Sequence, residues 1–257
     1  MIEILKPIFR GPLATYGQGL ACSEAQPPGT IRLQELLGTT DALETLLYRQ
    51  ADFLGTGDLR PVASAWMLQY TALLVPPVAV AATVLGHVFP VGYRDAAVDI
   101  DGRGLPRRII VPHSGRSAVG QNTACRYATL FAAHLTPLVL RLSQAAGLPG
   151  KILWGSVARR LDATLEQAAA MAPTIGLATR IEEDRDYLLQ QRTWSLGQRN
   201  PLFGQRKTAQ MTLADGRQSV TRLHRQCCLH HLLPGKEHCS ACPLSPRLRQ
   251  MEQCSTG

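Results

Sequence analysis

Residues 61–93 read PVASAWMLQYTALLVPPVAVAATVLGHVFPVGY and contain no Lys, Arg, Asp or Glu. A charge-free segment of this length predicts either a buried helical core or a membrane span, and a span needs about 20 consecutive apolar residues. Pro76 and Pro77 interrupt the segment, and neither side of them is long enough to cross a bilayer. We therefore predict two buried helices, residues 61–74 and 77–87, that meet at the two prolines, and no transmembrane segment.

The composition around this segment is that of a folded protein. Of the 257 residues, 45% are apolar and 18% are charged, which is ordinary for a globular chain and unlike a disordered one. The first residues, Met1-Ile2-Glu3-Ile4, lack the basic and apolar regions of a signal peptide. We therefore expect a cytoplasmic protein, in which clustered cysteines indicate metal or redox chemistry rather than disulfides.

Two segments have the pattern of β-hairpins. Residues 96–100 and 107–111 are rich in β-branched residues and flank the turn Asp101-Gly102-Arg103-Gly104. Residues 207–213 and 219–225 flank a second turn, Ala214-Asp215-Gly216-Arg217.

Helical periodicity covers much of the remaining chain. Residues 122–146 repeat apolar side chains at helical spacing, with Pro137 predicting a kink, and residues 151–171 form a second such run. Residues 180–196 have the composition of a charged surface helix. The fold class is therefore α+β, a helix-rich body with two β-hairpins and a small C-terminal cysteine-rich module.

We divide the chain into three parts on this basis. Residues 1–60 form an irregular and helical lead-in, residues 61–198 form the helix-rich body with the first hairpin, and residues 199–257 carry the second hairpin and the cysteines. The last part holds nine Lys or Arg against three Asp or Glu, so most of the formal net charge of +8 lies there. Such a region can attract nucleic acid, an acidic protein or an anionic ligand, or it can be a solvated surface.

Four of the seven cysteines, Cys227, Cys228, Cys239 and Cys242, follow the pattern Cys-Cys-x10-Cys-x2-Cys. The Cys-x-x-Cys pair has the spacing with which a tight turn aims two thiolates at one metal. Adjacent cysteines suit a single zinc ion poorly, because neighbouring side chains in extended backbone point to opposite faces. A 2Fe–2S cluster is a larger target, so we favour it over zinc, while a 4Fe–4S cluster stays open because four cysteines serve both cluster types.

We do not expect the remaining histidines and cysteines to be metal ligands. Four histidines flank the cysteines, and we expect them to be neighbours of the metal centre because four thiolates complete a ligand set. Cys22, Cys125 and Cys254 are expected to be ordinary thiols, with Cys125 acting as a small apolar side chain. The four histidines are His224, His230, His231 and His238.

The cysteine segment, with Gln226-Cys227-Cys228-Leu229-His230 at its start and Cys239-Ser240-Ala241-Cys242-Pro243 at its end, resembles the FhuF-type ferric siderophore reductases. Leu153-Trp154-Gly155-Ser156 and Asn200-Pro201-Leu202-Phe203 are similar to further landmarks of that family. The resemblance implies a C-terminal 2Fe–2S cluster on the four cysteines and a cytosolic enzyme that reduces ferric siderophores, hydroxamates above all. We expect the siderophore to bind within the helix-rich body, residues 61–198.

The expected chemistry is a one-electron reduction. Hydroxamate oxygens are hard ligands that hold Fe(III) tightly and Fe(II) far less well, so one electron loosens the chelate. The sequence contains neither a Walker loop nor a Rossmann glycine fingerprint, so we expect electrons from a protein donor such as a ferredoxin or a flavin reductase.

Two other functions stay open at this point. One is a zinc-knuckle module whose basic region contacts nucleic acid, although we do not expect that partner. The other is an iron–sulfur electron carrier that has no siderophore substrate.

Overall fold

The computed structural model describes residues 1–194, 197–204, 206–212 and 218–245. It is an α+β fold that is 52% helical, which confirms the predicted α+β class, while the C-terminal iron–sulfur module stays a prediction. The helices are α1 (Ala14–Gly17), α2 (Leu33–Leu36), α3 (Thr40–Leu54), α4 (Leu59–Val80), α5 (Thr123–Leu130), α6 (Thr136–Ala146), α7 (Gly150–Ala170) and α8 (Ile175–Leu189).

Short strands form three small sheets among the described residues. A four-stranded sheet has the order β1-β5-β4-β2, a second sheet pairs β3 with β6, and a third pairs β7 with β8. The strands are β1 (Leu20–Cys22), β2 (Thr30–Arg32), β3 (His87–Val88), β4 (Ala97–Ile100), β5 (Pro106–Val111), β6 (Arg116–Ser117), β7 (Arg206–Thr212) and β8 (Gln218–His224).

Helix α4 runs through both prolines, so the predicted bend between two helices is wrong. Proline fits helical backbone angles, but Pro76 and Pro77 lack the N–H groups that would bond the carbonyls four residues earlier. Fifteen residues of α4 are buried, which outweighs the loss of two hydrogen bonds. A π-helical turn, Ala81–Leu85, then continues the helix to Gly86.

Gly19 packs against the part of α4 that the prolines leave unpaired. A Cβ at Gly19 would lie 2.3 Å from the carbonyl oxygen of Leu73, which is the carbonyl that Pro77 cannot bond. Only a residue without a side chain can approach the helix backbone this closely. The N-terminal segment is thereby held against the central helix.

The apolar segment Leu59–Leu85 has the length and hydropathy of a membrane span, with a mean hydropathy of 1.7. Yet 67% of its most apolar 18-residue stretch is buried inside the protein. Helices α3 and α7 and strand β5 pack against it. Its burial is that of the core helix of a soluble protein.

Both predicted hairpins are present. Strand β4 pairs antiparallel with β5, and β7 pairs antiparallel with β8, although the second turn, residues 213–217, lies outside the described residues. Strand β1, by contrast, falls in the segment expected to be irregular. It pairs parallel with β5, and its Leu20 is fully buried.

The later helices follow the predicted boundaries with one difference. Pro137 lies just after a π-helical turn, Phe131–Leu135, that joins α5 to α6, which agrees with the predicted irregularity. Helix α8 begins earlier than predicted and is not simply a surface helix, because its Asp184 is buried. The division of the chain into three parts stays a prediction.

Candidate metal centre

The β7–β8 hairpin brings the two cysteine pairs together. Strand β8 ends at His224, three residues before the adjacent cysteines, and the backbone N–H of His224 donates to the carbonyl of Ala241 at 2.9 Å. Within the second pair, the N–H of Cys242 donates to the carbonyl of Cys239 at 3.0 Å. The end of the hairpin is therefore hydrogen-bonded to the Cys-x-x-Cys turn.

The two cysteine pairs contact each other through one thiol from each pair. The sulfurs of Cys227 and Cys242 lie 3.7 Å apart. Two thiolates on one tetrahedral metal with bonds of about 2.3 Å are about 3.8 Å apart, so this pair has the spacing of ligands to a single metal. Cys228 and Cys242 are buried, whereas Cys227 and Cys239 are half-buried.

Backbone amides point at two of the sulfurs. The N–H of Leu229 donates to the Cys227 sulfur at 3.3 Å, and the N–H of Leu244 donates to the Cys242 sulfur at 3.4 Å. The first of these requires a turn in which Leu229 adopts a φ of 57°, the left-handed region that a non-glycine residue occupies at a cost. Such N–H···S bonds stabilise thiolates and tune the potential of a bound cluster.

The donor set fits an iron–sulfur cluster. Four thiols and two N–H donors to sulfur stand within one short segment, which is the chemistry that such a cluster requires. Among the described residues, no three His, Cys, Asp or Glu side chains already surround a common point as ligands of one metal ion. The arrangement is thus a set of converging thiols rather than a closed metal cage.

The environment of Cys239 and Cys242 favours the protonated thiol over the thiolate. Burial raises the pKa of both Cys239 and Cys242, and neighbouring thiols raise these pKa values further, with Cys228 adding to both. Bringing thiolates together without a metal is unfavourable because their charges repel. A metal bound by these two thiols would therefore have to displace their protons.

The histidines lie beside the thiols. The Nδ1 atom of His231 is 3.6 Å from the Cys227 sulfur, and the His231 and His238 rings stack with centroids 4.0 Å apart. Partial burial, followed by the neighbouring His238 and His230, lowers the pKa of His231. The expectation that histidines neighbour the centre without ligating it stays a prediction.

The other cysteines lie in different places. Cys22 and Cys125 are exposed, so the expected apolar role of Cys125 is wrong, because the face of α5 that carries it points to solvent. Cys254 lies outside the described residues.

Sequence reasoning missed a buried ionic network between α5 and α8. The guanidinium of Arg126 donates to Asp184, which also accepts from the Thr123 hydroxyl at 2.5 Å and the Thr83 hydroxyl at 2.6 Å. The Tyr127 hydroxyl is 2.7 Å from that of Thr83. No local signal distinguishes Asp184 from the exposed acids around it in the sequence.

A second buried contact also went unpredicted. His134, in the π-helical turn, places Nε2 2.7 Å from the Tyr70 hydroxyl and Nδ1 at the carbonyl of Val91. A carbonyl only accepts, so Nδ1 carries the proton and Nε2 accepts from Tyr70. Burial lowers the pKa of His134 to about 4, so the ring is neutral.

Comparison with known proteins gives similarities in sequence and in fold. The FhuF family model, described as ferric iron reductase FhuF-like transporter, matches residues 64–220, which is more than half of the chain and ends before Cys227. The ferric siderophore reductase of Escherichia coli (strain K12) is 25% identical over 186 residues. These cover 72% of this chain and 66% of the relative, so the chain spans just under two thirds of that protein's length.

Solved structures add a likeness of fold alone. The ATP-bound aerobactin synthetase IucA of a hypervirulent Klebsiella pneumoniae has a TM-score of 0.52 and 17% identity, covering 68% of this chain and 37% of its own. A second structure of the same synthetase has a TM-score of 0.52 and 16% identity, and the match covers 68% of this chain and 38% of the synthetase.

Proposed function

Since this chain belongs to the FhuF family of ferric iron reductase-like proteins, we propose that it reduces the Fe(III) of ferric siderophores and so releases Fe(II). The observation that carries the proposal is the family match over residues 64–220 together with converging thiols at the C-terminal side of that match. The name of the Escherichia coli relative points to the same activity.

We assign the redox centre to a 2Fe–2S cluster held by Cys227, Cys228, Cys239 and Cys242. When bound, the cluster supplies one electron at a time. The sulfur spacing of 3.7 Å and the two N–H···S hydrogen bonds support the ligand assignment. Cys228 and Cys242 are buried and Cys227 and Cys239 are half-buried, so a cluster held by these four thiols would be partly shielded from water and partly accessible to a partner.

The substrate's own chemistry completes the reaction. Fe(III) held by hard hydroxamate oxygens takes up one electron and becomes Fe(II), for which those oxygens have much lower affinity. The vacated hydroxamate then takes up a proton from solvent. Removal of Fe(II) draws the transfer forward even when the potentials are unfavourable, because each 59 mV changes a one-electron equilibrium about tenfold.

The electrons come from a partner protein. The chain carries no nucleotide-cofactor fingerprint, so a ferredoxin or a flavin reductase is the class of donor that suits it. A cytoplasmic location would give access to both classes.

The test mixes anaerobically reduced protein with a ferric trihydroxamate and a ferrous chelator that reports Fe(II). We expect one Fe(II) per reduced cluster, with re-oxidation of the visible spectrum, and none from Cys239→Ser protein treated identically. Equal Fe(II) yields from both proteins would show that the chain is not the reductase.

The same preparation distinguishes the alternatives. Iron and sulfide analysis with a red-brown colour indicates a cluster, whereas a colourless protein with zinc indicates a zinc knuckle. A red-brown protein whose reduced form is unaffected by ferric hydroxamate would instead be an electron carrier.

A further inference from the structure

A cavity of about 250 Å³ lies between helices α7 and α8 and the β7–β8 hairpin. Its hairpin wall, which includes Arg222, continues directly into the cysteine segment. The N–H of His224, two residues after Arg222, bonds the Cys-x-x-Cys turn, and Arg225 donates to the carbonyl of Gly204 on the cavity lining at 3.4 Å. The cavity therefore adjoins the candidate metal centre.

Three arginines line this cavity with a single carboxylate among the described lining residues. That carboxylate, Asp162, is bonded by Arg185 through Nε at 2.9 Å and Nη2 at 2.8 Å. Arg222 stands 3.7 Å from Glu166, with both side chains mostly exposed, and such exposed pairs are weak. The arginine that remains is Arg159.

Arg159 has no carboxylate partner within the part of the chain that the structure describes. Its Nε donates to the carbonyl of Gly155 at 3.1 Å, and its Nη2 lies 3.4 Å from the Ser156 hydroxyl. The side chain is half-buried, so its charge is less well hydrated than that of a surface arginine. A partly buried guanidinium without a carboxylate partner can bind the planar carboxylate of a ligand through two parallel hydrogen bonds.

The size of the cavity limits what it can take. Sites for whole small molecules occupy about 300–1,000 Å³, so 250 Å³ suits one peripheral group of a chelate rather than the chelate itself. The iron would then remain outside the cavity, on the side of the cysteine segment.

We propose that this cavity binds a free carboxylate of the ferric chelate, with Arg159 as its main contact and Arg222 as a second cation at the rim. The inference rests on the proposed reductase function and adds a substrate preference. Ferric hydroxamates that carry free carboxylates should bind more tightly than neutral or cationic trihydroxamates.

The test uses Arg159→Gln and a matched control, Arg160→Gln, in the cluster-loaded protein. Arg160 is the next residue of α7 but lines a different cavity, together with Pro7 and Val80. The probes are gallium(III) complexes, which have the size and charge of the ferric chelates and cannot be reduced. One probe is a hydroxamate chelator with free carboxylates, and the other is a neutral trihydroxamate; calorimetry measures both affinities.

We expect Arg159→Gln to weaken binding of the carboxylate-bearing probe about tenfold to a hundredfold, the loss expected for a charge-assisted hydrogen bond. The neutral probe and the Arg160→Gln protein should be unaffected. Equal affinity of wild type and Arg159→Gln for the carboxylate-bearing probe would overturn the proposal, as would a wild type that binds neither probe. Should Arg159→Gln misfold, exposed Arg222→Gln provides the same comparison with a smaller expected loss.

Reduction assays separate this inference from the function on which it rests. Wild type that binds the gallium probe yet yields no Fe(II) from any ferric chelate contradicts the reductase function. If wild type and Arg159→Gln release Fe(II) at equal rates when the carboxylate-bearing chelate is limiting, the cavity assignment is contradicted and the reductase function is not.

Discussion

At the scale of single residues, the thiols differ in what their loss should do. Changing Cys239 to Ser removes one of the four proposed thiolate ligands, and a serine hydroxyl is a much poorer ligand for an iron–sulfur cluster. We expect the purified protein to lose most of its iron and its visible absorption, measured by metal analysis and spectroscopy. Cys227, Cys228 and Cys242 should behave in the same way.

Cys22→Ser and Cys125→Ser are the matched controls for this experiment, because both thiols are exposed and distant in sequence from the four candidates. Both controls should keep the full iron content. A Cys239→Ser protein with unchanged iron and an unchanged spectrum would show that the ligand assignment is wrong.

His134 predicts a pH dependence of stability. Its folded pKa of about 4 lies below the ordinary 6.5, so the unfolded chain binds the proton more readily. The contribution of His134 is therefore complete above pH 6.5 and is lost as the pH falls towards 4. The loss should amount to about 3 kcal/mol in the free energy of unfolding, measured by urea titration at several pH values.

The comparison for that measurement is His134→Gln, which cannot take up a proton in this range. Carboxylates titrate equally in both proteins, so the difference between the two pH profiles isolates the histidine. Parallel profiles between pH 4 and 6.5 would show that His134 does not carry this dependence.

At the scale of elements, Gly19 tests the contact between the N-terminal segment and α4. In Gly19→Ala, the new Cβ would lie 2.3 Å from the Leu73 carbonyl oxygen and 2.6 Å from its Cα, so backbone must move. Overpacking of this kind costs about 1–3 kcal/mol or more. Urea unfolding should show the loss.

Gly176→Ala serves as the control for that substitution, because nothing lies within 4 Å of its added Cβ and the site is an exposed helical position. Alanine there should leave stability unchanged or raise it by up to about 1 kcal/mol. Equal stabilities of the two variants would contradict the close approach of Gly19 to α4.

The elements that the sequence predicted are those with local patterns. The β4–β5 hairpin has alternating strands around a tight turn, and α7 has an uninterrupted apolar repeat. Strand β1 has three residues and pairs with a strand far along the chain, so no local pattern marks it. Helix α4 was predicted as two helices because the energy that keeps it continuous through Pro76 and Pro77 comes from tertiary burial.

The candidate site also has features that the sequence predicts and features that it does not. The spacing of the four cysteines could be found in the sequence, because metal ligation imposes short separations. The N–H donation to the Cys227 sulfur depends on the turn at Leu229. That Arg159 has no carboxylate partner among the described residues depends on which acids the neighbouring arginines bind. Both are properties of the folded chain that no pattern of residue types encodes.

At the scale of the whole molecule, the uneven charge predicts how the electron donor arrives. The basic C-terminal part, with nine cations against three acids, should attract an acidic carrier. Salt shortens the Debye length from about 10 Å at 0.1 M to about 3 Å at 1 M. We expect the rate of electron transfer from a reduced ferredoxin, followed by stopped flow, to fall as salt rises.

A small uncharged reductant provides the control, since its rate of reducing the protein should not depend on ionic strength. A ferredoxin rate that stays level or rises with salt would exclude a steering role for the basic region.

The ion pair of Arg126 and Asp184 has a consequence for how this protein can diverge. Both side chains are buried, so losing either one alone leaves an unpaired charge in the interior. The cost is about 3–5 kcal/mol, a large part of the roughly 5–15 kcal/mol by which domains are stable. A substitution at one position is therefore tolerated only together with a substitution at the other. Descendants should keep both residues or replace both together, which makes the two positions covary across a family tree although they lie on different helices.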